Sequence, residues 1–225
     1  MIMKYYPIFL KLTNKRVLVV GGGKVALRKI EALLKCGAIV NIVAKYLDSR
    51  LKELISLGNI SYLGENFRDQ YLNQIFLVIA ATNDADLNSD VSKCAKKRGI
   101  PVNEVDKPLD CDFILPSVIN RGDLTIAIST SGQSPALAKK IRKDIAKKFG
   151  KEYKTYLVLL GYLRQEILKL GLPQEENSKI FKRIVDSEIY EALSIEDWKQ
   201  IEITFHEILP QELDSGNLIK AFNQD

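Results

Sequence analysis

Arg16-Val17-Leu18-Val19-Val20-Gly21-Gly22-Gly23-Lys24-Val25-Ala26 is the stretch that decides the fold. After Arg16 its first half is apolar at every position, as expected of a central strand covered on both faces. Three glycines end the run and a helical pattern follows, so the turn joins a strand to a helix. Gly21 permits a tight turn, Gly23 lets the backbone approach a pyrophosphate, and small Ala26 allows helix and strand to pack closely. In that setting Gly21-x-Gly23-x-x-Ala26 reads as a dinucleotide fingerprint. The anion would lie at the helix N-terminus, where unpaired N–H groups and the helix dipole favour negative charge. Gly21, Gly22, Gly23, Lys24, Val25 and Ala26 are therefore the first candidate cofactor contacts. The same residues could also serve only as a tight turn without a ligand.

Working outward, the pattern predicts a helix from about Lys24 to Cys36, stopped by Gly37, then a strand from Ala38 to Ala44. A helix near Asp48 to Leu57, a short strand near Ile60 to Leu63 and the apolar run Ile75 to Ala80 follow. Another helix near Asp84 to Arg98, ended by Gly99, leads to a strand from Ile100 to Val105. Strands alternating with helices specify an α/β, Rossmann-like parallel sheet. Beyond it, Phe113 to Val118 and Leu124 to Ser129 read as a hairpin around Asn120-Arg121-Gly122-Asp123. Ser134-Pro135 opens a helix with Leu137, Ile141, Ile145 and Phe149 on one face. The remainder is helical, with breaks at Gly171-Leu172-Pro173 and Leu209-Pro210. The expected domains are 1–112, a Rossmann unit; 113–150, hairpin plus helix; and 151–225, a helical C-terminal domain.

The composition, 46% hydrophobic with 27% charged residues, suits a globular protein of 225 residues with a core of its own. Charges interrupt every apolar run before it reaches bilayer length, and the first residues lack the apolar core of a signal peptide, so the expected location is cytoplasmic. Cys36, Cys94 and Cys111 are an odd number without Cys-x-x-Cys spacing, and His206 is the single histidine, which argues against disulfides and a dedicated metal site. Cys36 and Cys94 read as buried small apolar residues. A net charge of +5 favours an anionic ligand.

Three further places carry chemistry. At the end of the second strand, Val43-Ala44-Lys45-Tyr46 lacks the acid that would bind an adenine ribose; Ala44 remains a cofactor contact by position, and Asp48 is the nearest carboxylate. Lys45 and Arg50 could face a 2′-phosphate or be solvated charges, so these residues leave NAD and NADP both open. Ala81-Thr82-Asn83-Asp84 lies at the carboxyl end of the fourth strand, where such sheets bind ligands, so Thr82 and Asn83 could line the cofactor, cap the next helix, or do both. Asn103-Glu104-Val105-Asp106 ends the fifth strand, where the Asp106 carboxylate could accept a proton while hydride leaves to the cofactor, or simply terminate a turn.

Taken together, Gly21 to Lys29, Ala81 to Asp84, Asn103 with Asp106, Cys111-Asp112-Phe113 with Pro116-Ser117, and Ile128 to Pro135 resemble, in that order, the precorrin-2 dehydrogenase family, the module also found in sirohaem synthases. The resemblance covers about Tyr5 to Phe149. It implies NAD-dependent oxidation of precorrin-2 to sirohydrochlorin, with NAD preferred over NADP, a cytoplasmic homodimer joined through the hairpin region, and ferrous iron as a second substrate in those members that also act as chelatases. It makes Asp106 the residue tied to chemistry and sets Asn103, Phe113, Pro116, Ser117, Ser129, Thr130 and Ser131 beside the tetrapyrrole. One departure is Lys45, where relatives often carry proline. Arg121 is a candidate for the substrate carboxylates because its planar fork binds them bidentately, although a turn-exposed arginine needs no such role. Lys139, Lys140, Arg142, Lys143, Lys147 and Lys148 could meet carboxylates or form a solvated face. A competing class is an NAD-sensing regulatory module that binds nucleotide without reacting; the block from Asn103 to Ser117 is what a sensor has no reason to carry.

Overall fold

The computed structural model describes residues 4–105, 107 and 111–222. Five parallel strands form the sheet: β1 (Arg16–Val20), β2 (Ile39–Val43), β3 (Ser61–Gly64), β4 (Leu77–Ala80) and β5 (Val102–Glu104), in the order β3-β2-β1-β4-β5. Helices α1 (Lys24–Lys35), α2 (Ser49–Ser56) and α3 (Ala85–Lys97) make the crossovers, with a 3-10 turn at Asp69–Leu72 between β3 and β4. The strand order reverses at β1, which pairs with β2 on one side and β4 on the other. That reversal opens a crevice at the carboxyl ends of β1 and β4, the usual ligand position in a doubly wound sheet.

The continuous apolar character of β1 has a direct physical reading. Val17 and Val19 pack with Ala26, Ile30 and Leu33 of α1 and with Leu51 of α2. Leu18 and Val20 point the other way, onto Val91 and Ala95 of α3 and Leu72. Both alternating sets are buried, so neither can be polar. Gly37, at φ +72, stops α1 as expected, but Cys36 is exposed at the helix end; the expected burial of Cys36 is corrected because the last turn of α1 emerges from the core.

The contacts divide the chain into two compact units, 1–115 and 116–225. The second begins with the antiparallel hairpin β6 (Ser117–Arg121) and β7 (Leu124–Ile128). Its pairing extends to Arg121 opposite Leu124, so the loop is Gly122-Asp123, two residues shorter than the predicted turn. Gly122 has φ +66, the conformation a two-residue hairpin loop asks of glycine. The first hairpin strand starts only after Pro116, which has no N–H for a ladder. Helix α4 (Pro135–Lys148) follows, its first turn capped by the Ser134 side chain, which accepts from the Leu137 N–H. Helices α5 (Tyr153–Lys169), α6 (Gln174–Val185), α7 (Ile189–Ser194), α8 (Trp198–Ile208) and α9 (Ser215–Phe222) complete the unit around Leu159, Leu163, Ile184 and Phe205. Among the described residues no helix is long and apolar enough to cross a membrane.

Candidate functional site

The loops after β2 and β4 meet the glycine turn, and its glycines answer different demands. Gly21 has φ +125, and a Cβ there would lie 2.2 Å from the Ala81 carbonyl oxygen. A Cβ on Gly22 would lie 2.1 Å from the Tyr46 carbonyl oxygen and 2.8 Å from the Ala44 Cβ. The protein's own packing therefore forbids side chains at both positions, and that packing sets Ala44 and Ala81 against the turn. The Gly21 N–H donates to the Val43 carbonyl at 2.8 Å, and the Asp48 N–H to the Gly22 carbonyl at 2.8 Å.

Gly23 is different. A Cβ at this position would meet nothing within 4 Å, and the backbone is extended, with φ −87 and ψ −175. Nothing among the described residues requires glycine here, whereas a group approaching the turn from outside would. Gly23 is also the N-cap of α1, so no side chain caps the first-turn N–H groups, and that turn contains no acid. Open space, free donors and the positive end of the dipole form an anion site of the kind a pyrophosphate fills. Lys24 and Val25 are exposed beside it, and Ala26 is fully buried where α1 crosses β1. The residues present thus fit a dinucleotide.

Next to the turn, the loop after β4 is held by a residue the sequence reading missed. Asn88, 3% exposed, accepts from the Thr82 N–H at 3.1 Å and from the Thr82 hydroxyl at 2.8 Å, and donates to the Thr82 carbonyl at 3.0 Å. Thr82 is therefore fixed in place and Asn83 is left exposed. Asp84 caps α3 by accepting from the Leu87 N–H. At the end of β2, Asp48 caps α2 through the Arg50 N–H, and Arg50 pairs with Glu53 at 2.5 Å, so both already have protein partners.

At the end of β5, Asn103 is 7% exposed. Its amide nitrogen donates to the Phe113 carbonyl at 3.0 Å, and its oxygen accepts from Lys29 Nζ at 2.9 Å. Burial, with Arg28 nearby, pushes the Lys29 ammonium below the usual lysine range, against an opposing effect of Cys111. Lys29 lies three residues past Ala26 on the inward side of α1, the one sequence signal for its burial. Cys111 Sγ accepts from the Glu104 N–H at 3.1 Å and lies 3.2 Å from the Glu104 carbonyl, tying the segment after β5 back to the strand. Glu104 is buried and pairs with Lys107 Nζ at 3.1 Å. Val105 continues the edge with an N–H bond to the Ala80 carbonyl. Asp106, the expected catalytic residue, lies outside the described residues.

The other expected substrate contacts fall in the second unit. Pro116 is exposed and Ser117 half-buried at the start of β6. Arg121 donates from Nε to the Phe149 carbonyl at 2.9 Å and from a terminal nitrogen to the Ala146 carbonyl at 3.4 Å, so its fork closes the C-terminal end of α4. In the loop before α4, the Ser129 hydroxyl accepts from the Ser131 N–H and the Thr130 hydroxyl from the Ser134 N–H. Ser131 stands at φ +53 beside Gly132 at φ +84.

Comparison with known proteins agrees with this geometry. The chain matches a family described as putative NAD(P)-binding over residues 8–117, and one described as the sirohaem biosynthesis protein central region over residues 121–148. It is 46% identical over 143 residues to the siroheme synthase of Sodalis glossinidius, covering 64% of this chain and 30% of that protein. It is 35% identical over 211 residues to that of Zymomonas mobilis, covering 93% and 45%. The chain thus spans less than half the length of these curated relatives. Among solved structures, a precorrin-2 dehydrogenase, SirC, superposes with a TM-score of 0.75 at 26% identity, covering 98% of this chain and 100% of that one. With both regions matched and the fold shared along its length, the chain belongs to the precorrin-2 dehydrogenase and sirohaem synthase family.

Proposed function

We propose that this protein oxidises precorrin-2 to sirohydrochlorin with NAD, in sirohaem biosynthesis. The observation that carries the reading is Gly23, an open, uncapped helix N-terminus in a chain that superposes along its length on a precorrin-2 dehydrogenase. NAD, when bound, accepts the hydride. The chain's residues do the rest. First-turn N–H groups of α1 hold the pyrophosphate, Ala44 and Ala81 wall the crevice, and Thr82, fixed by Asn88, borders it with Asn83. Asp106, two residues past the end of β5, accepts the proton released as hydride departs and passes it to solvent. Exposed cations of α4, among them Lys139, Lys140 and Lys143, give the second unit a surface that suits anionic groups such as carboxylates. The working form is a cytoplasmic homodimer joined through residues about 114–149, and ferrous iron is a second substrate to be tested at the same site.

Anaerobic assay of precorrin-2 with NAD, following sirohydrochlorin and reduced cofactor together, tests the reading. Wild type turns over, and Asp106→Asn, which keeps size and polarity but loses basicity, binds both ligands while kcat falls roughly a hundredfold or more. Inactive wild type that still binds NAD would favour a sensor. A fully active Asp106→Asn would remove this residue from the mechanism. Ferrous iron added to the same pair shows whether chelation occurs and whether it depends on Asp106.

A further inference from the structure

Lys29 poses a physical problem that the proposed chemistry leaves unused. It is half-buried on α1, and no carboxylate among the described residues lies within ion-pair distance of its ammonium. For stability alone, an apolar side chain of similar length would serve at least as well there, since a partly desolvated cation is weakly compensated. What the ammonium does have is Asn103 Oδ1 at 2.9 Å.

That contact removes a freedom. An asparagine amide can usually be turned end for end, because oxygen and nitrogen occupy similar space. Here an ammonium, which only donates, faces one end, and the Phe113 carbonyl, which only accepts, faces the other at 3.0 Å. Both partners dictate the same orientation. The amide then links the dinucleotide helix, through Lys29, to β5 and to Phe113 beyond it, where Cys111 also fastens the chain to Glu104.

We propose that Lys29 is a positioning residue: by fixing the Asn103 amide it holds the carboxyl end of β5 and the Phe113 segment in register with the cofactor-binding helix. The inference deepens the dehydrogenase reading and rests on it for its effect on rate. Hydride transfer is sensitive to such placement, since misplacing reacting groups by about 1 Å can cost about a hundredfold.

The test is Lys29→Met, Asn103→Ala and the double variant in the complete protein, with wild type in parallel. Lys29→Met is expected to lower kcat about tenfold to a hundredfold, leave NAD affinity within about twofold because the glycine turn is untouched, and keep or raise the unfolding temperature. The double variant should be no slower than Asn103→Ala, because Lys29 acts through that amide. Lys29→Arg, still a pure donor, should recover part of the loss. Unchanged kcat in Lys29→Met, additive losses in the double variant, or Lys29→Arg no better than Lys29→Met would each overturn the proposal. A parallel loss of kcat and unfolding temperature would reduce Lys29 to a structural role and overturn it too. A second readout is independent of turnover: the Asn103 side-chain amide protons should resist exchange in wild type and lose that protection in Lys29→Met, or in Lys29→Gln if the methionine variant does not fold. Inactive wild type with that loss of protection sinks the dehydrogenase reading and keeps the positioning contact, whereas unchanged protection sinks the contact itself.

Discussion

Gly21 and Gly23 stand two residues apart in one motif and should respond to substitution in opposite ways. Gly21→Ala must strain a φ of +125 and drive a methyl group into the Ala81 carbonyl, so the expected outcome is an unstable protein. Gly23→Asp enters open space at an extended N-cap, where aspartate is among the preferred residues, so the variant should fold with α1 intact. Its carboxylate would then occupy the place of the pyrophosphate and satisfy its donors, and NAD binding should be lost. Titration of the folded Gly23→Asp variant with both dinucleotides checks this; NAD affinity equal to wild type would remove the cofactor from this turn. The fingerprint was legible because strand, glycines and helix are consecutive. Asn88 and Lys29 were not, because each acts on a partner from a different element: the loop after β4 for Asn88 and β5 for Lys29. Arg121 looked like a free fork in a turn, and only the packing of the hairpin against α4 gives it the Phe149 and Ala146 carbonyls.

Periodicity carried most of the elements at their own scale, and the departures have local causes. β5 is shorter than the predicted strand from Ile100 to Val105 because Pro101 cannot donate to a ladder, and at Val105 the chain turns while keeping its N–H bond to the Ala80 carbonyl. The helices of the second unit were legible as helices, but not their aromatic junction, where the rings of Phe149, Tyr153, Tyr156 and Tyr190 from α5, α7 and the end of α4 meet tilted or edge-on. There the Tyr190 hydroxyl donates to Glu152 at 2.7 Å. Burial first, and then the Glu152 carboxylate, push the Tyr190 phenol well above its ordinary value of 10.0. A raised phenol contributes stability that is complete below pH 10.0 and lost as pH rises above it, because the unfolded chain then ionises first. Hydrogen bonds hold Glu152 below its ordinary value of 4.5, so its contribution is present above that pH and lost as pH falls below it. Thermal unfolding should therefore show Tyr190→Phe less stable than wild type near neutrality, with the gap closing above about pH 10. A constant gap across that range would mean that the hydroxyl's ionisation has no part in the stability.

At the scale of the whole molecule, the second unit leaves apolar surface that its own chain does not cover. Helix α4 carries Leu137, Ile141 and Ile145 on one face, with Phe149 just past its end, yet Ala138 is its one buried residue, and Leu137 is 48% exposed. Val118 on β6 is 45% exposed. Apolar groups left on a hairpin and the helix packed beside it are what a second copy would remove from water, and a two-fold interface would pair the same surface with itself. The cations of α4 oppose such a pairing unless they lie at its rim, where anionic substrate could bridge them. The expected species is a dimer at micromolar concentration by sedimentation, tightened by added salt as the lysines are screened. Leu137→Lys combined with Val118→Lys should yield a folded monomer, since both positions are exposed in the single chain and neither supports its core. If the hairpin and α4 form the interface, the double variant dissociates while retaining NAD, because the glycine turn belongs to the other unit. A wild-type monomer, or a double variant that stays dimeric, would place these apolar residues in some other role.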